Sequence, residues 1–412
     1  MPFQGLLGFV GLLLLAWAIS EDQRGVPWRA VIGGLLLQLG LALLLLKVPA
    51  SQSAFLLLND AVEALQKATD TGTAFVFGYL GGGALPFAES HPGASFILAF
   101  KALPLVLVIS ALSALLFHWG VMQVIVSGFA WLLRRSMGIG GALGLGAAVH
   151  VFVGMIEAPL LVRPYLLRMS RGELFALMSC GMAGIAGTMM VLYAGILGPV
   201  IPNALGNILS ASLISTPAAL AVAALMVPFR PESGQASAKF PRESANSMDA
   251  LVKGTTDGIG LLVNIIAMLL VLVAVVTLVN MMLGVLPEVW GGKITLQRMA
   301  GAVFTPVLWA MGLPFEEAKT AGLLMGTKTV LNEFVAYLDM AALPDAALSP
   351  RARLMLTYSL CGFANLGSLG IMIGGIGAMI PERRTEVVQL GMKSILSGTI
   401  ATCLSGALVG LF

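Results

Sequence analysis

Residues 150–169 read HVFVGMIEAPLLVRPYLLRM. A histidine and a glutamate stand inside a run apolar enough for a bilayer, and two prolines and two arginines then interrupt it. A charged side chain at bilayer depth costs at least ~2.5 kcal/mol, so such a residue faces a cavity or a partner. Non-helical backbone at that depth is tolerated only where protein or a water-filled cavity surrounds it. The stretch is therefore read as the tip and return of a re-entrant hairpin, Gly140–Arg168. A second half-apolar, acid-bearing, interrupted segment, Glu316–Leu343, reads the same way.

The rest of the chain sets the bilayer context. Of 412 residues only 10% are charged and 58% are hydrophobic, with a mean hydropathy of +0.95. Soluble domains carry about 25% charged residues, so this composition describes an all-α integral membrane protein. A net charge of +3 is too small to argue for nucleic acid. Cys180, Cys361 and Cys403 lie in apolar segments and imply neither a disulfide framework nor metal-ligand spacing. Ala16-Trp17-Ala18 resembles a signal-peptide cleavage site. Nothing positive precedes the apolar run, however, and the charges EDQR (21–24) follow it, so it is kept as a span.

A transmembrane helix needs about 20 apolar residues. Eight stretches qualify: Phe3–Ser20, Ala30–Leu46, Ala102–Trp119, Leu174–Leu197, Asn203–Met226, Gly258–Leu286, Leu354–Met379 and Ser394–Phe412. Ala54–Thr69 and Gly120–Arg135 are amphipathic and read as interfacial helices. Basic residues gather in four places: Arg24 and Arg29; Arg134, Arg135, Arg163, Arg168 and Arg171; Arg230, Lys239, Arg242 and Lys253; and Arg383 with Arg384. One alternation of spans puts all four in the cytoplasm and both termini in the periplasm. Arg351 and Arg353 fall on the other face and count against it.

The chain also repeats itself. Cys180–Gly187 reads CGMAGIAG and Cys361–Ser368 reads CGFANLGS, 23 residues after Glu157 and 28 after Glu333. An odd number of crossings separates the copies, which gives them opposite topology. Inverted repeats with interrupted helices near the midplane are a secondary-transporter pattern. Helix packing through small residues would produce a similar motif without function. Glu333 lies in GTKTVLNEFVAY, Gly326–Tyr337, beside Lys328 and Asn332; a carboxylate accepts from two adjacent hydroxyls. Asn365 and Ser368 share a helix face and are polar where their repeat partners, Gly184 and Gly187, are not. His150 either fills space or takes up and releases a proton near neutral pH; His91 and His118 lie in a loop and at a span end. An enzyme would need a nucleophile–base pair or a metal cluster. Neither is found, nor any cofactor motif, and the longest polar stretch, Phe229–Lys253, is too short for a receptor's output domain.

On these residues the chain resembles the concentrative nucleoside transporter family from about residue 95 onward. EAPLLVRPYL (Glu157–Leu166), NEFVAY (Asn332–Tyr337), CGFAN (Cys361–Asn365) with GSLGIMIGGIG (Gly367–Gly377), and STPAAL (Ser215–Leu220) all match. The resemblance implies a homotrimer whose protomers have eight transmembrane helices, two opposed re-entrant hairpins and interfacial helices. It implies no cofactor. It assigns ribose to Glu333, Asn365 and Ser368, with Phe363 nearby. The family's first hairpin carries Gly-Gln-Thr/Ser-Glu against the base. Here it reads Gly154, Met155, Ile156, Glu157, so Met155 and Ile156, with Met189 one helix away, form an apolar wall beside Glu157. The family's sodium site uses an Asn and a Ser or Thr where this chain has His150 and Gly184, which leaves the carbonyls of Val153 and Ile185.

The implied organisation is 1–94 and 95–119 as scaffold, 120–228 as the first transport repeat, 229–257 as a cytoplasmic loop, 258–290 as a scaffold span and 291–412 as the second transport repeat. The expected function is nucleoside import across an inner membrane. A proton is the expected coupling ion, with sodium as the alternative; a modified nucleoside or another ribosylated compound is the alternative substrate.

Overall fold

The computed structural model describes residues 2–89, 95–230, 244–289 and 291–412. Lys239, Arg242 and His91 lie outside them. Among the described residues the secondary structure is helical, apart from an isolated bridge between Val289 and Gly292. The first helices are α1 (Pro2–Ala18), α2 (Trp28–Lys47), α3 (Pro49–Phe77), α4 (Leu98–Lys101), α5 (Leu105–His118) and α6 (Val121–Met137). The amphipathic segment expected over 54–69 is the middle of the 29-residue α3, which stops where Gly78 turns to a positive φ of 59°.

The quoted stretch folds as α7 (Gly141–His150), an irregular turn, α8 (Glu157–Leu161) and α9 (Arg163–Leu166). Next come α10 (Arg171–Ala183) and α11 (Gly187–Leu197). Sequence reading takes 174–197 as one span, but the chain is extended at Gly184, with φ −118° and ψ 175°, and helix resumes only at Gly187. α10 starts on a capping box between Ser170 and Glu173. α12 (Ala204–Met226) follows the turn at 198–203.

α13 (Ser247–Leu283) is 37 residues long and begins eleven residues before the expected span. Asn246 Oδ1 accepts the Asp249 N–H at 2.9 Å, and Asp249 pairs with Lys253 at 3.2 Å one turn on. These polar contacts extend the helix into the segment expected to be loop. α14 (Leu296–Ala310) precedes the second broken pair, α15 (Phe315–Val330) and α16 (Glu333–Ala342). α17 (Pro350–Leu360) and α18 (Leu366–Met379) replace the continuous span expected over 354–379, and α19 (Arg384–Val409) closes the chain.

Six helical segments of the described residues are long and apolar enough to cross a membrane. The core lies where α10, α12, α17 and α19 meet. α2 lies along α12, with Gln38 Nε2 donating to Ser405 Oγ at 3.2 Å; Ser215 of α12 reaches the same hydroxyl at 2.8 Å. α1 packs on α19, and α5 packs on α13. In the last pair Gly254 meets the Ser110 carbonyl so closely that a Cβ would lie 2.6 Å from it, a small-residue contact between helices.

The two ends of the bundle are fastened differently. At one, Lys47 Nζ donates to the Phe412 carbonyl at 3.2 Å, and Arg351 holds the carbonyls of Gly410 and Gly312 at 2.8–3.0 Å. At the other, Glu21 accepts from Arg171 through both oxygens at 3.1 Å and from Lys393 at 2.6 Å. Arg383 there pairs with Glu386 at 2.7 Å and holds the Leu166 and Met169 carbonyls.

Candidate functional site

The four helix interruptions meet one another. The Gly187 N–H, at the start of α11, donates to the Phe152 carbonyl between α7 and α8 at 3.2 Å. The Phe363 N–H, between α17 and α18, donates to the Gly184 carbonyl between α10 and α11 at 3.2 Å. Interrupted helices present free N–H and C=O groups, and these backbone bonds draw both repeats to one place.

On the second-repeat side the arrangement is polar. Asn332 closes the start of α16, its Oδ1 accepting the Val335 N–H at 2.9 Å, so it acts as a cap rather than pointing its carbonyl outward. Glu333 follows and is 4% exposed. Its Oε1 accepts from the Tyr193 hydroxyl at 2.6 Å and its Oε2 from Asn365 Nδ2 at 3.1 Å. Asn365 uses its other end as the cap of α18, Oδ1 accepting the Ser368 N–H at 2.7 Å. The amide is therefore held in one orientation by both neighbours. Glu333, Asn365 and Ser368 come together as expected, and Phe363 is half-buried beside them. The Ser368 hydroxyl has no partner among the described residues, and each Glu333 oxygen keeps a further lone pair.

Tyr193 was not singled out from sequence. It lies fully buried in a segment without charges, and a buried phenol needs a partner; that requirement was the available signal. Met189 lies one turn earlier on α11, hence on the face from which Tyr193 reaches Glu333.

On the first-repeat side the arrangement is apolar. A Cβ on Gly181 would lie 3.0 Å from Met372 Cε, 3.1 Å from His150 Cε1 and 3.4 Å from Met155 Cβ. A Cβ on Gly375 would lie 3.1 Å from Ile156. Ser368, Met372 and Gly375 are spaced four and three residues apart, so one face of α18 runs from the polar group to Met155 and Ile156. His150 is 3% exposed, and its Nε2 is buried without a hydrogen-bond partner. Its carbonyl lies 3.9 Å from where a Gly184 Cβ would be, so these two expected coupling-region residues are neighbours. Val153 is half-buried and Ile185 fully buried beside them. Glu157 behaves differently from Glu333. It is exposed, and its carboxylate folds back over Gly154 so closely that a Cβ there would collide with Oε2. Glu157 makes no hydrogen bond or ion pair among the described residues. No cluster of His, Cys, Asp and Glu there has metal-binding geometry.

Three family profiles match the chain: Na+ dependent nucleoside transporter N-terminus over residues 7–80, Nucleoside recognition over 99–200, and Na+ dependent nucleoside transporter C-terminus over 207–410. An uncharacterized transporter of Haemophilus influenzae is 37% identical, aligned over 99% of this chain and 97% of its own. The nucleoside permease NupC of Helicobacter pylori is 31% identical over 100% and 99%. The structure of CNTnw in an inward-facing substrate-bound state superposes with a TM-score of 0.89 at 34% identity, over 99% of this chain and 97% of that one.

Proposed function

The chain belongs to the concentrative nucleoside transporter family, a family of multi-pass membrane transporters and not of enzymes, and on that premise we propose that it imports nucleosides across a bacterial-type inner membrane. The observation that carries this reading is the buried group of Glu333, Asn365 and Ser368, fixed by Tyr193. A carboxylate with free lone pairs beside a free hydroxyl suits the paired hydroxyls of a ribose. The base then lies toward Met155, Ile156, Glu157 and Met189. Such a wall offers few donors or acceptors, so it discriminates weakly between bases. A modified nucleoside or another ribosylated compound fits the same division into a polar and an apolar half.

The working unit is a homotrimer of eight-span protomers, with α7–α9 and α15–α16 as opposed re-entrant hairpins and both termini periplasmic. The end of the bundle that carries Arg171, Arg383 and Lys393 is then cytoplasmic. α5 and α13 serve as scaffold. α1 and α2, scaffold helices on the sequence reading, pack on α12 and α19.

For coupling, a hard alkali cation wants several oxygen ligands, and the surroundings of His150 and Gly184 are mostly apolar. An imidazole is a poor ligand for such an ion, whereas a proton needs only one titrating nitrogen. The free Nε2 of His150 supports the proton. Because this nitrogen has no partner among the described residues, the charge of a protonated imidazole must be met through movement of the first hairpin or through loading. The test is uptake of labelled uridine and adenosine into liposomes under separate gradients. Accumulation is expected with an inward proton gradient. Accumulation driven by sodium at equal pH on both sides would overturn the coupling assignment.

A further inference from the structure

The second repeat contains a buried cation that the transport reading does not use. Lys328, on α15, is fully buried and has no ion-pair partner among the described residues. Its ammonium donates to the Ser359 carbonyl at 2.8 Å and to Thr402 Oγ1 at 3.3 Å. Ser359 is the penultimate residue of α17. In a continuous helix its carbonyl would receive the N–H of Phe363, but that N–H goes to Gly184. Thr357 is in the same position. The N–H it would receive, that of Cys361, goes to Tyr358, and the Thr357 carbonyl accepts the Tyr337 hydroxyl at 2.7 Å instead. The interruption thus frees two buried carbonyls, and two side chains of the α15–α16 pair take them. A cation at the carbonyl end of a helix is also favoured by the helix dipole.

The first repeat has no counterpart. Five residues before Glu157, where Lys328 precedes Glu333, stands Phe152; four after it, where Tyr337 follows Glu333, stands Leu161. Among the described residues, none of the carbonyls from Ala176 to Ala186 accepts a side-chain hydrogen bond.

We propose that Lys328 is a positioning residue. Together with Tyr337 it fastens the α15–α16 pair to the end of α17, while Glu333 holds the cap of α18, so that Glu333, Asn365 and Ser368 are preset before substrate arrives. The statement about presetting rests on the reading of those three residues as the sugar site; the fastening itself does not. The motif residues of GTKTVLNEFVAY then divide their work. Lys328 and Tyr337 grip the carbonyl side of the interruption, Glu333 grips the amide side, and Asn332 starts the helix that carries two of them.

The experiment uses the full chain in nanodiscs and in liposomes. Lys328→Met keeps the length of the side chain and removes its donors; Tyr337→Phe keeps the ring and removes one hydroxyl. Without nucleoside, amide hydrogen exchange over residues 361–368 is expected to quicken about tenfold in Lys328→Met relative to 218–224 of α12, and several-fold in Tyr337→Phe. The uridine KM is expected to rise about tenfold while Vmax stays within about twofold, since a preset site is lost and the translocation step is not. Unchanged exchange overturns the fastening. Quicker exchange with an unchanged KM overturns the presetting, as does a fall in Vmax alone. If Lys328→Met does not fold, Tyr337→Phe decides by the same two readouts. Failure of the sugar reading is separately visible: uptake by Glu333→Ala would equal wild type while the exchange result on Lys328 stands.

Discussion

The two broken helix pairs begin alike and end differently. Each carries a glutamate just after its interruption, and each is followed by a Cys-Gly-x-Ala helix that is itself interrupted. In the second, the glutamate is buried, accepts two hydrogen bonds and stands among capped helix ends. In the first, the glutamate is exposed and folded onto its own backbone, and the tip beyond it is made of Met155 and Ile156 against Gly181 and Gly375. Buried polar groups that are fully satisfied hold one geometry, whereas thioethers and branched alkyl groups repack. The same fold element is thus a rigid polar grip in one copy and a deformable apolar wall in the other. On the proposed assignment, a chain with one of each demands a sugar and tolerates a range of bases.

The largest effect tests that division directly. Glu333→Ala removes a charge-assisted acceptor worth about 1.5–3 kcal/mol and also leaves Tyr193 and Asn365 without their partner. Uptake at low nucleoside concentration is expected to fall about a hundredfold. The matching change Glu157→Ala is expected to cost about tenfold or less, because that carboxylate has no protein partners to strand. Equal losses in side-by-side liposome assays would erase the contrast.

Next in size is coupling. If His150 carries the proton, an inward gradient of one pH unit accumulates uridine about tenfold for one proton per nucleoside. His150→Ala is expected to equilibrate uridine without accumulating it. A variant that still concentrates substrate under the same gradient would move the coupling site away from the first repeat.

How much of this was legible beforehand depends on which physics wrote the residues. The breaks at Glu157 and Glu333 could be read because an acid, an amide or a proline in an apolar run is costly unless something local compensates. The breaks inside 174–197 and 354–379 read as continuous spans, because Gly, Ala and Ile serve a membrane helix and an extended turn equally well. What opens them is a long-range backbone bond, Phe363 to Gly184 and Gly187 to Phe152, which no local pattern encodes. Asn365 and Ser368 stand out through their contrast with Gly184 and Gly187, and Glu333 as an acid in an interrupted apolar run. Tyr193 and Tyr337 were missed because a tyrosine in an apolar segment looks like any other aromatic until its hydroxyl needs a partner. Lys328 is conspicuous in sequence but carries no legible role there, because the carbonyl it caps belongs to a helix end that the sequence does not announce.

A smaller effect sharpens the apolar half of the comparison. Met155→Gln with Ile156→Thr restores donors and acceptors to the wall. A site built to hydrogen-bond a base penalises one that leaves its groups unpaired. The ratio of uridine to adenosine uptake is expected to shift several-fold, with either sign, while total nucleoside uptake persists. An unchanged ratio in a competition assay would mean that the base lies elsewhere.

The smallest effect concerns the far end of the same two repeats, where ions rather than tips join them. Arg171 at the head of α10 belongs to the first repeat; Glu386 and Lys393 of α19 belong to the second. Glu21, in the α1–α2 connection, bridges Arg171 and Lys393. Hydrogen bonds from Arg171, chiefly, and from Lys393 hold the Glu21 carboxyl down at about 2, against the desolvation that burial imposes. A carboxylate with a lowered value stabilises the folded state above the ordinary carboxylate range, near 4.5, and loses that contribution as the pH falls toward 2. The bridging side chains are 29–41% exposed, so solvent screening leaves little of it. Glu21→Gln is expected to lower the unfolding temperature in detergent by about a degree or two at pH 7, and the difference should shrink steadily between pH 4.5 and pH 2. A difference that persists at pH 2 would assign the effect to side-chain packing; the Glu21 N–H bond to the Met226 carbonyl, at 2.9 Å, is kept in both proteins and cancels. A difference that fades would show ionic fastening at the base of the first repeat, which its apolar tip lacks.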